Sequence, residues 1–388
     1  MTEHVVVLGS GYAGAGAVKS LEAEVRDEAD ITWVSDVDYH LVLHEVHRCI
    51  SDPAVQDEIT IPISEIKSPE TRFVEGHVEA IDTESRAVEL DDGTAIEYDY
   101  LVVAVGSQTA FFNLDGLEEH AHTLKSLDDA LGIHDAIRDA ARAATAEDRA
   151  RVVIGGAGLS GIQAAGEVAE FRDAVDAPLE IVLVEALDSV LPNSDPDLQS
   201  ALRRRLDARD VRIETGQFIC EVDDDYVYIG EDGDRIEYDV LIWTGGITGQ
   251  DAMANADLDR DQGSNRVRAG RTFQTDDDRV FAIGDAALLE QESGEPVPPN
   301  AQAAWEAAEV VGENVARQIR GQPLRTYTYK DKGTSISIGE DAVAHDVMNI
   351  PISTFGGLPA KLLKKAIAAR WIATITSLPR AAKAWGDM

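Results

Sequence analysis

Short apolar runs, glycine-rich turns and alanine-rich helical stretches follow one another along the chain, and this order occurs twice. Residues 5–14 read VVVLGSGYAG, and residues 152–161 read VVIGGAGLSG. A strand-like run, a glycine cluster and a helical stretch are the start of a βαβ nucleotide-binding unit. A second apolar run follows each unit, at residues 31–34 and 181–184. A repeat spaced by about 150 residues predicts a duplicated domain rather than a solenoid, whose repeats are far shorter.

The glycines in each cluster have separate roles. Gly9 permits the tight turn from strand to helix, Gly11 lets a pyrophosphate approach the backbone, and Gly14 lets the helix pack against the strand. The helix that follows directs its N-terminus at the phosphates. The corresponding glycines of the second unit are Gly156, Gly158 and Gly161. We therefore interpret both clusters as dinucleotide sites.

The residue that ends the second strand of each unit predicts how the ribose is held. In the second unit it is Glu185, whose carboxylate accepts hydrogen bonds from a ribose 2′-hydroxyl and repels a 2′-phosphate. No arginine stands beside it, which favours NAD over NADP. In the first unit the position is Ser35, a poorer ribose ligand, and the neighbouring Asp36 is the alternative.

The charge of the chain narrows its possible partners. The 388 residues include 72 acidic and 34 basic ones, a formal net charge of −38. A field of that sign repels phosphates, so we expect no nucleic-acid partner. Acids spread along a patterned sequence, with few lysines, favour a halophilic protein whose self-repulsion is screened by molar salt. The alternative is an unusually acidic protein of a low-salt cell.

In these motifs the chain resembles the flavoproteins that have two dinucleotide-binding domains, and most closely the type II NADH dehydrogenases. The resemblance extends over nearly the whole chain. It implies an α/β fold in which the first glycine motif holds FAD and the second holds NADH, the NADH domain being inserted in the FAD domain. The implied bounds are 1–120 and 251–325 for the FAD domain, 121–250 for the NADH domain and 326–388 for a small C-terminal region.

The resemblance also assigns site residues beyond the glycines. A flavin-side element is similar to Ala104-Val105-Gly106, the exit of the NADH domain to Thr244-Gly245-Gly246, and the FAD-closing element to Gly284-Asp285. The helix start at the quinone end is similar to residues 301–306. From these matches we expect FAD and NADH contacts at Ala104, Gly106, Gly246, Gly284 and Asp285, and a quinone end at Gln302, Glu306 and, as a weaker candidate, Lys332.

Four positions depart from the family pattern. Val105 replaces a threonine of the flavin-side element, and Ser35 replaces the ribose acid. Gln163 replaces the acid that usually follows the second glycine motif, although Glu167 lies one helical turn later on the same face. Glu306 replaces the second glutamine of the quinone motif.

Cysteine and histidine usage separates the chain from other classes. Cys49 and Cys220 match neither the redox pair of disulfide reductases nor the cysteines of sulfide:quinone reductases, so we interpret both as small buried residues. His40, His44 and His47 have a spacing that could bind a metal on a helix, but such histidines more often face solvent or a cofactor. We expect no metal.

The charge reverses at the C-terminus. Residues 347–386 contain no acid, and apolar side chains, including two tryptophans, alternate with the bases Lys361, Lys364, Lys365, Arg370, Arg380 and Lys383. A basic, tryptophan-bearing amphipathic tail predicts contact with anionic lipid. The alternative is a helix that packs on the protein's own acidic surface or on a partner subunit. On the first interpretation, we expect residues from about Leu358 onward to be dispensable for flavin reduction.

The function that the resemblance implies is electron transfer from NADH through FAD to a quinone at the membrane surface. No apolar stretch of the sequence predicts a spanning helix and no signal peptide is evident. We therefore expect a cytoplasmic protein, peripheral on the inner face of the cell membrane, with a homodimer as one option. Two alternatives are an NADH-dependent reductase of a soluble electron-transfer protein, and a slow-turnover flavoprotein that senses NADH.

Overall fold

A computed structural model describes residues 2–230 and 233–387. The first part of the chain forms a strand–helix–strand unit followed by short strands. Its strands are β1 (Glu3–Leu8), β2 (Ala29–Ser35), β3 (Tyr39–Leu41), β4 (Thr60–Pro62), β5 (Arg72–Glu75), β6 (Val78–Asp82), β7 (Ala87–Leu90), β8 (Ala95–Glu97), β9 (Tyr100–Val103) and β10 (Ser107–Thr109). Its helices are α1 (Tyr12–Glu24), α2 (Gln56–Ile59), α3 (Ile63–Ile66) and α4 (Leu117–His120), with 3-10 segments at Arg26–Glu28, Leu43–Ile50 and Pro53–Val55.

The middle of the chain repeats this order. Ser126 begins its first helix with a capping box, because its side chain accepts from the Asp129 amide and the Asp129 carboxylate accepts from the Ser126 amide. The strands are β11 (Ala150–Gly155), β12 (Leu179–Glu185), β13 (Val211–Thr215), β14 (Ile219–Val222), β15 (Tyr226–Ile229), β16 (Asp234–Glu237), β17 (Val240–Trp243) and β18 (Ile247–Gly249). The helices are α5 (Leu127–Ala143), α6 (Leu159–Val175), α7 (Pro196–Asp207) and α8 (Asp251–Ala254).

The last part returns to the first sheet and then forms a separate small sheet and two helices. Its strands are β19 (Val267–Ala269), β20 (Val280–Ala282), β21 (Ala287–Leu289), β22 (Thr334–Ile338), β23 (Asp341–His345) and β24 (Thr354–Gly356). A 3-10 segment lies at Gly284–Ala286, and the helices are α9 (Ala301–Ile319), α10 (Leu358–Ile375) and α11 (Leu378–Asp387).

Two parallel sheets form the centre of the structure. The first has the order β20-β9-β1-β2-β5 and the second the order β13-β12-β11-β17. In the first sheet, Leu8 pairs with Val34 and Val103, and the side chains of residues 5–8 are fully buried. Strands covered on both faces are continuous apolar runs, which is why they were visible in the sequence. Since β20 joins the first sheet after the second sheet is complete, the second unit is inserted in the first, as predicted.

The small sheet and α10 pack against both units. The sheet β22-β23-β24 is antiparallel, and Ile338 and Gly339 lie against Gly166 of α6. Tyr12 of α1 packs its ring against Trp371 of α10, with ring centroids 4.9 Å apart. The C-terminal region is therefore part of the same packed body as the two nucleotide-binding units.

Candidate active site

The two glycine loops have the same geometry. Gly9 and Gly156 both have φ of +95°, a conformation that L side chains rarely adopt, so each turn depends on glycine. A Cβ on Gly14 would lie 1.9 Å from the Gly9 carbonyl oxygen, and one on Gly161 would lie 1.8 Å from that of Gly156. This geometry fits the tight turn predicted at Gly9 and the close helix–strand contact predicted at Gly14.

The middle glycine of each loop faces open space. A Cβ built on Gly11 or on Gly158 meets no atom within 4 Å. Each of these residues is the N-cap of the helix that follows, and neither helix start is capped by a side chain. The backbone at both helix starts is therefore accessible to a phosphate group, which the helix N-terminus attracts.

Glu185 is held at the end of β12, directly beside the second loop. Its carboxylate accepts a hydrogen bond from the Ala157 amide at 2.7 Å and another from the Leu187 amide at 2.9 Å. The first of these fixes the glycine loop, so Glu185 has a supporting role that the sequence did not predict. In the first unit, Ser35 is buried and donates to Ser10 Oγ at 2.8 Å, whereas Asp36 is exposed. This contrast favours Asp36 as the ribose ligand.

A short antiparallel pair, β10 and β18, connects the segments that follow β9 of the first sheet and β17 of the second. Ser107 of β10 pairs with Gly249 of β18, and the Ala110 amide donates to the Gly246 carbonyl at 3.2 Å. The Ala104 carbonyl oxygen would lie 2.4 Å from a Cβ on Gly9. Gly246, and Gly106 next to Ser107, therefore lie at the boundary between the two nucleotide-binding units, whereas Ala104 lies against the first glycine loop.

Asp285 is held by side chains that no sequence motif identifies. Ser107 Oγ donates to Asp285 Oδ2 at 3.2 Å, and Lys125 Nζ lies 2.9 Å from Ser107 Oγ and 4.0 Å from the same carboxylate oxygen. The guanidinium of Arg266 donates to the Asp285 backbone carbonyl at 2.9 Å. Burial lowers the pKa of Lys125, and the carboxylate of Asp285 opposes that shift. Asp285 and Gly284 are thus fixed beside the first glycine loop, where Gly284 faces Ala13.

The three predicted residues of the quinone end lie together. Gln302 Nε2 donates to Glu306 Oε1 at 3.1 Å, one turn along α9, and Lys332 forms an ion pair with the same carboxylate. The structure adds Tyr327, whose hydroxyl donates to Glu306 Oε2 at 3.0 Å. Burial and the carboxylate of Glu306 raise the pKa of Tyr327, so the phenol keeps its proton. The tyrosine had no sequence motif to identify it.

The buried face of α10 packs against the residues of the site. The Trp371 side chain is 1% exposed, and its indole N–H donates to His40 Nε2 at 2.8 Å. His40 Nδ1 in turn donates to the Ser10 carbonyl at 2.7 Å. Trp371 also makes an edge-to-face contact with Trp305 of α9, with ring centroids 4.7 Å apart. The expectation that residues from Leu358 onward are dispensable does not fit this packing, because their removal would expose the core between α1 and α9.

The bases of the tail do not all face solvent. Lys364 is buried, and Arg380 lies against Glu65 with its side chain 16% exposed. Several apolar side chains of this region are nonetheless exposed, namely Met348, Ile350, Ile352, Leu358, Leu362, Ile367, Leu378 and Trp385. In the described part of the chain, no helix is both long and apolar enough to cross a bilayer.

The candidate metal-binding histidines and the two cysteines pack against other parts of the chain. Burial lowers the pKa of His40 and that of His44 to about 4 each. Across residues 2–230 and 233–387, no group of three or more histidine, cysteine or acidic side chains has an arrangement that could hold a metal. Cys49 is buried as predicted, but Cys220 is only half-buried, and its thiol donates to the Tyr228 carbonyl at 3.4 Å.

Comparison with known proteins places this geometry in a family. Residues 3–308 match the family described as pyridine nucleotide-disulphide oxidoreductase. The chain is 30% identical to the type II NADH:quinone oxidoreductase of Staphylococcus haemolyticus, over 94% of each chain.

Two solved structures share the fold. The NDH2 of Plasmodium falciparum in complex with NADH has a TM-score of 0.85 at 16% identity, with 100% of this chain and 98% of that chain covered. The sulfide:quinone oxidoreductase of Aquifex aeolicus has a TM-score of 0.80 at 19% identity, over 96% and 91% of the chains. The predicted fold class is confirmed, and the chain belongs to the pyridine nucleotide-disulphide oxidoreductase family and, within it, to the type II NADH:quinone oxidoreductases.

Proposed function

We propose that the protein transfers electrons from NADH, through FAD, to a quinone. The observation that carries the proposal is the pair of matching glycine loops, one on each parallel sheet. The two sheets are connected by the antiparallel pair of β10 and β18. Each loop would hold one dinucleotide. The name of the staphylococcal relative supports the same reaction.

The residues fit the two nucleotides. The open backbone at Gly11, with Asp36 and Asp285 on either side, would hold FAD by its phosphates, ribose and ribityl chain. The open backbone at Gly158, with Glu185, would hold NADH. When bound, FAD would supply the redox chemistry of hydride acceptance and electron transfer. The chain's own contribution is to hold both nucleotides at fixed positions and to direct backbone dipoles at their phosphates.

The overall reaction, NADH plus quinone plus a proton to NAD⁺ plus quinol, requires a proton from solvent. Gln302, Glu306, Tyr327 and Lys332 form the polar network that we assign to the quinone end. Trp305 of the same helix turn makes an edge-to-face contact with Trp371, so this end of the site adjoins α10. A hydrophobic quinone would then reach the site from the face where α10 carries exposed apolar residues.

The finer proposal is that this face rests on the inner surface of the cell membrane. Exposed leucine, isoleucine and tryptophan side chains next to bases favour an anionic lipid surface. The buried face of α10 explains why both tail interpretations have support, since the helix packs on the protein with one face and presents apolar residues with the other. A reductase of a soluble electron-transfer protein would need no such exposed face.

The test is steady-state NADH oxidation by purified, FAD-loaded protein in molar KCl, with a soluble quinone analogue as acceptor. We expect NADH-dependent quinone reduction and release of FAD, not FMN, from the denatured protein. In a second arm, the double variant Leu362→Gln/Leu378→Gln should sediment less with anionic liposomes while it retains activity toward the soluble analogue. No quinone turnover, or FMN in place of FAD, would refute the proposal. Unchanged liposome binding would refute the membrane face alone.

A further inference from the structure

A buried group of five side chains lies where the two nucleotide-binding units meet the C-terminal region. We name it the junction cluster. It draws residues from the 3-10 segment Leu43–Ile50 of the first unit, from the first turns of α6 in the second unit, and from β22 and α10 of the C-terminal region. Four members are buried and Gln163 is half-buried. The members are Glu45, His47, Gln163, Ser337 and Lys364.

Lys364 is the centre of the junction cluster. Its ammonium donates to Ser337 Oγ at 2.6 Å, lies 3.2 Å from His47 Nε2, and forms an ion pair with Glu45 Oε1 at 3.4 Å. Gln163 approaches the same two neutral partners, because its Nε2 lies 3.2 Å from Ser337 Oγ and 3.3 Å from His47 Nε2. Lys364 and Gln163 therefore share partners and lie close to each other.

The electrostatics explain why Lys364 needs a carboxylate. Burial lowers the pKa of Lys364, and Glu45 opposes that shift more strongly than Glu167 does. Burial would raise the pKa of Glu45, but Lys364, His44 and Arg48 outweigh burial and lower it. His47 is buried and next to the cations of Lys364 and Arg48, so its pKa falls well below 6.5 and its Nε2 accepts hydrogen bonds. The charged and titratable groups that face Lys364 are thus Glu45, His44, His47 and Arg48 from the 3-10 segment and Glu167 from α6.

We propose that Glu45 is a positioning residue that holds the Lys364 ammonium charged at the boundary of the two nucleotide-binding units. The resemblance predicts an acid at position 163, on the NADH side of Lys364, but the residue there is Gln163. Glu45 supplies the negative charge from the FAD side instead. The functional part of this inference rests on the proposed function, because a fixed cation at the boundary favours the negative charge that arrives with a hydride.

The experiment compares the wild type with Glu45→Gln, Gln163→Glu and the double variant Glu45→Gln/Gln163→Glu. The matched control is Glu340→Gln, which removes an exposed partner of Lys361 on the same helix. Each protein is assayed for bound FAD, for Tm, and for the pH profile of NADH oxidation by a soluble quinone analogue in molar KCl. The double variant returns an acid to the other side of Lys364, so it separates loss of charge from loss of folding.

We expect Glu45→Gln to lower Tm by about 5 °C, because it leaves a buried charge without its partner. It should also move the alkaline limb of the pH profile to lower pH by about one unit. The double variant should recover most of both shifts, and Glu340→Gln should show neither. A lowered Tm with an unmoved alkaline limb would show a purely structural role and overturn the proposal, as would a double variant no better than Glu45→Gln.

The counter-ion role can be tested even if the protein reduces no quinone, an outcome that would refute the proposed function. A carboxylate whose pKa is lowered on folding contributes stability above its ordinary pKa of 4.5 and loses that contribution as pH falls below it. The Tm difference between the wild type and Glu45→Gln should therefore disappear in acid. A difference that persists unchanged below that pH would contradict the ion pair itself.

Discussion

Replacement of Trp371 tests whether α10 is part of the hydrophobic core formed with α1 and α9, beside the first glycine loop. The indole is 1% exposed, and its ring lies 4.9 Å from Tyr12 and 4.7 Å from Trp305, centroid to centroid. Trp371→Ala removes these contacts and leaves a cavity, which costs about 3–5 kcal/mol. Trp371→Phe keeps most of the packing but removes the donor to His40 Nε2, a buried acceptor, at a cost of about 1–3 kcal/mol.

The assay follows Tm and FAD release together. For a chain of this length, about 0.8 kcal/mol per degree converts the alanine cost to a Tm lowered by about 4–6 °C. Since Tyr12 is in the first turn of α1, next to Gly11, we expect Trp371→Ala to release FAD at lower temperature than the wild type does. Trp371→Phe should show a smaller shift in both measurements.

The matched control is Trp385→Ala, a tryptophan of the same tail that is partly exposed. It should leave Tm and FAD release nearly unchanged, because its side chain is not part of the core. If Trp371→Ala behaves like Trp385→Ala, the helix is not held as the structure shows, and the original expectation of a dispensable tail would be correct.

Three further predictions follow from single features. Glu185→Gln removes the charge that repels a 2′-phosphate, so the ratio of kcat/KM for NADH to that for NADPH should fall about tenfold or more, and an unchanged ratio would show that Glu185 does not select the nucleotide. Burial lowers the pKa of His40 from 6.5 to about 4, so the free energy of unfolding should be highest above pH 6.5 and should fall by on the order of 3 kcal/mol as pH drops toward 4. The variant His40→Phe should lose less stability over the same pH range. An equal loss in both proteins would exclude His40 as the cause. The net charge of −38 predicts a Tm lower by several degrees in dilute buffer than in molar KCl, and a Tm independent of salt would refute the halophilic interpretation.

The sequence by itself determined the two nucleotide-binding units. Gly9 and Gly14 could be assigned because the turn and the helix contact each admit no side chain, so the chemistry leaves one residue type. The buried strands were visible for a similar reason, since parallel strands covered on both faces are continuous apolar runs. The proximity of Gln302 and Glu306 could also be predicted from the sequence, because residues four apart on a helix share a face.

Only the tertiary structure decided which distant residues complete the site. Tyr327 reaches Glu306, Lys125 reaches Asp285, and Trp371 reaches His40. In the sequence, Lys364 looked like one of six solvent-facing bases, because periodicity shows which residues share a face but not which face is covered. Its buried ammonium is paired with Glu45, more than three hundred residues earlier, and a contact between such distant positions exists only after the chain has folded.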